Sequence, residues 1–489
     1  MTTRTNTISR VAASRPGRVL VAAAVLTAVA LGGVLSAAAA DQGIPPRPEQ
    51  LKFPPLSFTP PSAKDYRVQL KNGMVAYLVP DHTLPLVTVH VLMRIGPDLD
   101  PAGREGLAGL SIGQLTRAGT ARHNATEVED LVNALGATLD ASVGGRGGGM
   151  MGLGGVPIGA AEARASLTLL GKDLDQGLAL LVECLREPAY QADRLQLAKD
   201  QQLQQMKQRN DDTPQIEARE WGFLLRGDGF WGNRYATQAS LEAITRDDML
   251  AFTKRYVGPR NFLLAVSGDF DRGAMIKALE KAFGAWPTPG ERPGPPPAPG
   301  APTPGWFVVD KDVNQARVSL GLRAIDRYDP DWYAALVMND VLGGGGFSSR
   351  LVNRIRSDEG LAYSVSSRLE GGVYWPDSWR AAFQTKVRST AYGLDIALAE
   401  IRRMRETSVT DDELQTIKNK FIETFPNQFE TATSIAGALA IEELTGRYAK
   451  DPKYFAEYRD RIAKVTAADV QRVARRLLDP AKLTVLVVG

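Results

Sequence analysis

Residues 287–305 read Pro-Thr-Pro-Gly-Glu-Arg-Pro-Gly-Pro-Pro-Pro-Ala-Pro-Gly-Ala-Pro-Thr-Pro-Gly. Proline lacks the amide donor that helices and sheet ladders need, and its fixed φ favours an extended chain. No regular element can run through such a stretch. The fold must therefore be built from two pieces joined by a semi-rigid spacer. The two flanks read as copies of each other. In the first, Ile244-Thr-Arg-Asp-Asp-Met-Leu precedes Pro259-Arg-Asn-Phe-Leu-Leu-Ala-Val-Ser-Gly268; in the second, Val465-Thr-Ala-Ala-Asp-Val precedes Pro480-Ala-Lys-Leu-Thr-Val-Leu-Val-Val-Gly489. A Thr-capped helix, a Pro turn and a final strand ending in Gly recur in each. A duplication on this scale predicts two homologous α+β domains, each an antiparallel sheet with helices packed on one face. The expected organisation is a leader over 1–40, an N-terminal extension over 41–65, one domain over 66–286, the linker over 287–305 and a second domain over 306–489.

The leader is read from its own chemistry. Arg4, Arg10, Arg15 and Arg18 precede an apolar run from Val19 to Leu35, and Ser36-Ala-Ala-Ala-Ala40 supplies small residues for cleavage before Asp41. That is the layout of a secretory signal peptide, and it predicts export to a periplasm or beyond. An uncleaved membrane anchor is the alternative; the short core ending in alanines argues against it. No later stretch is long and apolar enough to span a bilayer. The whole chain has 58 basic and 55 acidic residues, but residues 1–40 hold four of the arginines and no acid, so the remainder is 54 − 55 = −1. Bulk charge therefore gives no reason to expect a nucleic-acid partner. Cys184, the only cysteine, excludes an intrachain disulfide and sits at helical spacing in Leu180-Leu-Val-Glu-Cys-Leu, as a buried thiol would.

Several segments carry local signals. Residues 73–80 and 86–96 read as a strand pair, with β-branched residues alternating. Thr126-Glu-Val-Glu129 reads as a capping box opening a helix. The stretch 144–155 is dense in glycine, which predicts no strand; it reads as a mobile insertion or as a flap that lines a chamber. The three histidines, His82, His90 and His123, share no metal-ligand spacing.

From about Tyr66 onward, this order of motifs resembles the insulinase/pitrilysin-type zinc metallopeptidases, in their mitochondrial processing peptidase-like branch. Residues 106–120, Gly-Leu-Ala-Gly-Leu-Ser-Ile-Gly-Gln-Leu-Thr-Arg-Ala-Gly-Thr, match the family's helix carrying H-x-x-E-H. In an H-x-x-E-H helix two His at i and i+4 grip one Zn²⁺ from one face, and the Glu serves as general base. The three slots here hold Gly109, Ile112 and Gly113. The family's further Glu ligand is missing too, since no Glu lies between Pro188 and Ile216. The second half keeps the other signature: Gly343-Gly-Gly-Gly-Phe-Ser-Ser-Arg-Leu351 and Arg354-Ile-Arg-Ser-Asp-Glu-Gly-Leu-Ala-Tyr-Ser-Val365. There Arg356 and Tyr363 match the pair that holds the substrate backbone and the developing oxyanion. The bland alternative is a surface helix charge and a packed strand aromatic.

The resemblance implies half of a clam-shell chamber, with no cofactor in this chain and no peptidase activity alone. It implies a zinc-containing homologous peptidase subunit as partner, whose metal activates water, and an extended peptide as substrate. Two competing readings stay open: a structural subunit without a role in turnover, and a homodimeric peptide-binding protein.

Overall fold

The computed structural model describes residues 57–145, 158–286 and 290–489. The leader, most of the N-terminal extension and most of the Gly-dense stretch lie outside the described residues. Two mixed sheets organise the rest. The first contains β1 (Arg67–Gln69), β2 (Val75–Pro80), β3 (Leu86–Met93), β4 (Thr138–Val143), β5 (Ala163–Leu170) and β6 (Phe262–Gly268), in the order β1-β2-β6-β3-β5-β4. The second contains β7 (Gly305–Val309), β8 (Gln315–Arg323), β9 (Ala362–Leu369), β10 (Ser378–Lys386) and β11 (Thr484–Val488), in the order β7-β11-β8-β10-β9. Leaving β1 aside, the strands of both sheets follow one order: first, fifth, second, fourth, third.

The first sheet carries helices α1 (Leu107–Gly113), α2 (Ala125–Ala134), α3 (Leu174–Arg186), α4 (Ala192–Gln208), α5 (Thr213–Arg226), α6 (Arg246–Tyr256) and α7 (Arg272–Phe283) in its stretch of chain. The second carries α8 (Trp332–Asn339), α9 (Thr390–Glu406), α10 (Asp411–Thr424), α11 (Ala432–Leu444), α12 (Tyr454–Ala463) and α13 (Ala467–Leu477), with shorter helical turns between them. The duplicated closing signature is built as read. Thr245 caps α6 and Thr466 caps α13, each in a reciprocal box with the Asp three residues on. Each helix then passes through a Pro-led turn into β6 or β11.

Four expectations are corrected. First, the sheets are not wholly antiparallel, because β2 pairs in parallel with β6 and β7 with β11. The closing strand of each half inserts beside the opening one. Second, and for the same reason, β2 and β3 are strands but not a pair: β6 lies between them. Third, α2 is capped two residues earlier than read. Asn124 accepts from the Glu127 amide at 3.0 Å, and Glu127 returns a bond to the Asn124 amide at 2.7 Å. Asn is the better N-cap, and Glu129 is instead paired with Arg194 at 3.0 Å. Fourth, the Pro-rich stretch is docked against the body. Thr303 and Gly300 donate to the carbonyls of Leu224 and Arg226 at 2.8 and 3.1 Å, and Gly305 already belongs to β7.

Helices cover both faces of each sheet, and the second face is covered by exchange. The first sheet's main core includes Leu107, Ile112, Leu181 and Phe252; the second's includes Val337, Ile401 and Val473. On the opposite faces, α11 packs on Tyr77, Leu92 and Ala265 of the first sheet, while α5 packs Ile216, Trp221 and Leu225 on Leu486 and Val488 of the second. The sequence of α11 explains its position: Ala-Thr-Ser-Ile-Ala-Gly-Ala-Leu-Ala-Ile is apolar nearly all round, which a helix tolerates only when buried on several sides. Each exchanged helix pairs one of its two carboxylates with the other half's sheet. Glu217 of α5 meets Arg380 at 2.7 Å, and also Arg317. Glu443 of α11 meets Arg67 at 2.9 Å and the Tyr77 hydroxyl at 2.6 Å. Through these contacts Phe58–Gly489 packs as one compact unit.

Candidate functional site

Helix α1 is held rigidly at its start. The Asp100 carboxylate accepts from the amides of Gly106 and Ala108 at 2.8 and 2.7 Å, so it satisfies two donors that a helix N-terminus leaves unpaired. Gly109 is exposed and Gly113 half-buried, and a Cβ added at either meets no atom within 4 Å. The face is open, yet it offers no ligand atom. Ile112, at the edge of the same face, turns into the core and is 0 % exposed. A Glu there would bury an unpaired carboxylate, a cost of several kcal/mol. Helix α4, where the resemblance expects a further Glu, has none: its two acids, Asp193 and Asp200, are exposed, its Leu195 and Ala198 enter the core, and Gln202 and Gln205 border a cleft. No three His, Cys, Asp or Glu are grouped to hold a metal among the described residues. The residues present do not fit zinc.

The open face gives a first prediction. Gly109 has no positive φ, so Gly109→Ala removes backbone freedom from the unfolded chain without a clash. It should stabilise the protein by about 0.5–1 kcal/mol in urea unfolding. A destabilised variant would show that something packs on this face.

The other signature converges in space. All four glycines at 343–346 are constrained: a Cβ at Gly343 would lie 2.7 Å from Ser367 Oγ, one at Gly344 2.3 Å from Asp340 Oδ1 and one at Gly345 2.6 Å from the Asp340 carbonyl oxygen. Gly346 has φ +69°, the left-handed region that suits glycine. The turn delivers Phe347 to the surface. Arg350 then anchors the chain to Glu413 of α10, with two bonds of 2.6 and 2.8 Å. Arg356 follows on a π-helical turn, Val352–Asp358, a geometry found often at functional sites. Tyr363 lies on β9, the edge strand, where the three steps from Ala362 to Val365 oppose two steps of β10. That bulge turns Tyr363 outward, and it is 86 % exposed.

Arg356 stacks between two rings. Its guanidinium carbon lies 4.8 Å from the Tyr363 ring centre and 4.6 Å from that of Phe347, which is itself 70 % exposed. Neighbouring Arg354 pairs with Asp358 at 2.9 Å, whereas Arg356 has no acidic partner among the described residues. With two rings beside it and no acidic partner among the described residues, the guanidinium keeps N–H groups available to an acceptor such as a peptide carbonyl or a carboxylate. The packed-aromatic alternative is not what is seen for Tyr363. Sequence reading missed Phe347, although a large apolar residue directly after four glycines is the signal for it.

Other titratable groups do structural work. His123 Nδ1 lies 2.8 Å from Glu183, which also binds Arg122 at 2.7 Å, and His82 pairs with Asp269 at 2.6 Å. Cys184 is buried, and that burial pushes its thiol up to about 12, so it is unreactive at neutral pH. A cleft of about 930 Å³ opens between α4, α5 and the end of β9; neither the Arg356 stack nor the face of α1 lines it.

Comparison with known proteins finds relatives of the same fold. The family described as "Peptidase M16 inactive domain" matches residues 243–421. An uncharacterized zinc protease of Rickettsia bellii is 23 % identical over 432 residues, 86 % of this chain and 96 % of that protein. The non-peptidase homolog YmxG of Helicobacter pylori is 25 % identical over 362 residues, 72 % of this chain and 78 % of that protein. A crystal structure of a peptidase M16 inactive domain from Pseudomonas fluorescens superposes with a TM-score of 0.74 at 21 % identity, covering 86 % of this chain and 97 % of that one.

Proposed function

From the premise that the chain belongs to the M16 peptidase family as a homologue without its zinc motif, we propose that it is the non-catalytic, substrate-binding subunit of an exported two-chain zinc peptidase. The observation that carries this reading is the Phe347–Arg356–Tyr363 stack. A free guanidinium edge and a free phenol, held on a bulged edge strand, are donors waiting for an acceptor. A chain retained only as scaffold has no reason to keep an exposed, charge-unmatched Arg between two exposed aromatics. Hydrolysis belongs to the partner, which supplies the metal and the general base. This chain supplies donors to the peptide backbone and one wall of the chamber.

Export rests on the leader, with its basic start, apolar run and alanine cleavage site. One experiment tests export and partnership together. The chain is tagged at its C-terminus, purified gently from the native host, and the complex is read by mass spectrometry and elemental analysis. The expected result is a mature N-terminus near Asp41, an exported H-x-x-E-H protein in stoichiometric amount, and zinc in that protein only. The chain separated from it should carry substoichiometric zinc and cleave no peptide. Tightly held zinc in this chain, lost together with activity on chelation, would falsify the non-catalytic assignment. A tag recovered alone from the membrane with Met1 intact would refute the export reading.

A further inference from the structure

Six arginines and three carboxyls line the cleft between α4, α5 and β9: Arg209, Arg219, Arg226, Arg327, Arg368 and Arg380 against Glu162, Glu370 and Asp377. Half of the arginines are neutralised within the fold. Arg226 meets Asp377 at 2.8 Å, Arg380 meets Glu217 at 2.7 Å, and Arg327 lies 3.6 Å from Glu442. The others are not. Arg209 and Arg368 are exposed and make no ion pair among the described residues, and Arg219 has only its chain neighbour Glu220, at 3.2 Å. Of the carboxyls, Glu162 is 2 % exposed and accepts the Tyr374 hydroxyl at 2.6 Å, Asp377 is spent on Arg226, and half-buried Glu370 lies 3.8 Å from the same Arg226, which leaves Arg209 and Arg368 unmatched. The cleft therefore faces outward with an excess of positive charge.

Its wall is aromatic. Trp221 and Trp231, 4 and 6 % exposed, back it, and half-buried Trp375, whose indole N–H has no acceptor among the described residues, presents the accessible ring. It is also reached along a track. Ser364, Ser366 and Arg368 share the exposed face of β9, whose outer edge pairs with no other strand among the described residues. An extended chain lying on that edge would find main-chain partners and would arrive at the cleft beside Arg368.

We propose that this cleft is a second binding site, and that it takes an acidic peptide segment carrying an aromatic side chain. The carboxylates are met by Arg209, Arg219 and Arg368 at the rim, and the ring stacks on the tryptophan wall. The site is separate from the Arg356 stack and needs no partner chain, so its test stands or falls independently of the two-chain reading.

The test uses the mature chain and a fluorescein-labelled peptide, Gly-Glu-Asp-Trp-Glu-Asp-Gly, followed by anisotropy at low and at physiological salt. Binding should weaken with salt, and by about tenfold or more when Lys replaces the acids or Ser replaces Trp. Arg368→Glu and Arg209→Glu, both at exposed positions, should each weaken it about tenfold with unfolding unchanged. Arg260→Glu, an exposed cation outside the cleft, should not. No binding at millimolar peptide, equal affinity for the lysine peptide, or an equal loss in Arg260→Glu each overturns the proposal. Displacement of the peptide by indole-3-acetate at equal concentration would reassign the cleft to a small aromatic acid and overturn the peptide assignment.

Discussion

In the assembled two-chain enzyme, Tyr363→Phe should lower kcat by about 10²–10³, the loss typical of removing one donor to a developing oxyanion, about 3–4 kcal/mol. The variant deletes a single hydroxyl from a side chain that is 86 % exposed, so neither folding nor assembly has reason to change. Arg356→Ala should cost at least as much, since it removes the charged donor that both rings hold. Arg356→Lys separates charge from shape. The ammonium keeps the charge but cannot present a planar edge between Phe347 and Tyr363, so partial recovery at best is expected. Phe347→Ala should give a smaller loss, recovered by Phe347→Tyr, because that ring positions the guanidinium and does not itself donate. Peptide turnover by the purified complex, checked for composition at each step, measures all five. Wild-type kcat in both Tyr363→Phe and Arg356→Ala would retire the donor role and leave a structural subunit.

What the sequence made legible follows from what is local. The capped helices, the Pro turns and the closing strands β6 and β11 were readable because each signal lies within a dozen residues. The empty zinc helix was readable for the same reason: residue types at fixed spacing decide whether a ligand atom exists. Long-range relations were not readable. Nothing near Val75 or Leu86 says that a strand almost two hundred residues later will part them, because parallel pairing of β2 with β6 is decided by the closure of the whole sheet. The apolar sequence of α11 said that it would be buried, but not that it would be buried on the other half's sheet. The rotation of Ile112 into the core was hidden too. Gly109, Ile112 and Gly113 share a face by helical arithmetic, and only the packing of α1 shows which edge of that face meets the core.

The exchange of α5 and α11 makes Glu217 the residue whose loss should loosen the fold most. Its side chain is 2 % exposed and faces Arg317, Arg380 and, at 2.5 Å, the Ser319 hydroxyl. Burial alone would raise its pKa; the two guanidiniums and the hydroxyl outweigh that and hold it below the ordinary value. Glu217→Ala leaves two cations facing each other beneath a helix. Removing one partner of a buried pair costs about 3–5 kcal/mol; here the arginines are 27 and 28 % exposed and can recruit some water, which places the loss near the lower end, about 3 kcal/mol. Glu217→Gln should cost less, because the amide oxygen still accepts. An exposed control such as Glu291→Ala, which breaks the 2.8 Å pair with Arg255, should cost about 1 kcal/mol or less. The sign with pH follows from the lowered pKa. A carboxylate depressed in the folded state stabilises it fully above its unfolded pKa, near 4.5, and that contribution fades as pH falls through the lower folded value. Glu443, also held low against its burial by Arg67 and Tyr77, adds a second term of the same sign. Urea midpoints measured from pH 7 to pH 3 should therefore fall below about pH 5 in the wild type, and less steeply in Glu217→Ala, where one of the two terms is gone. A parallel fall in both proteins, or a loss in Glu217→Ala no larger than in Glu291→Ala, would show that the exchanged helices are held by their apolar faces alone.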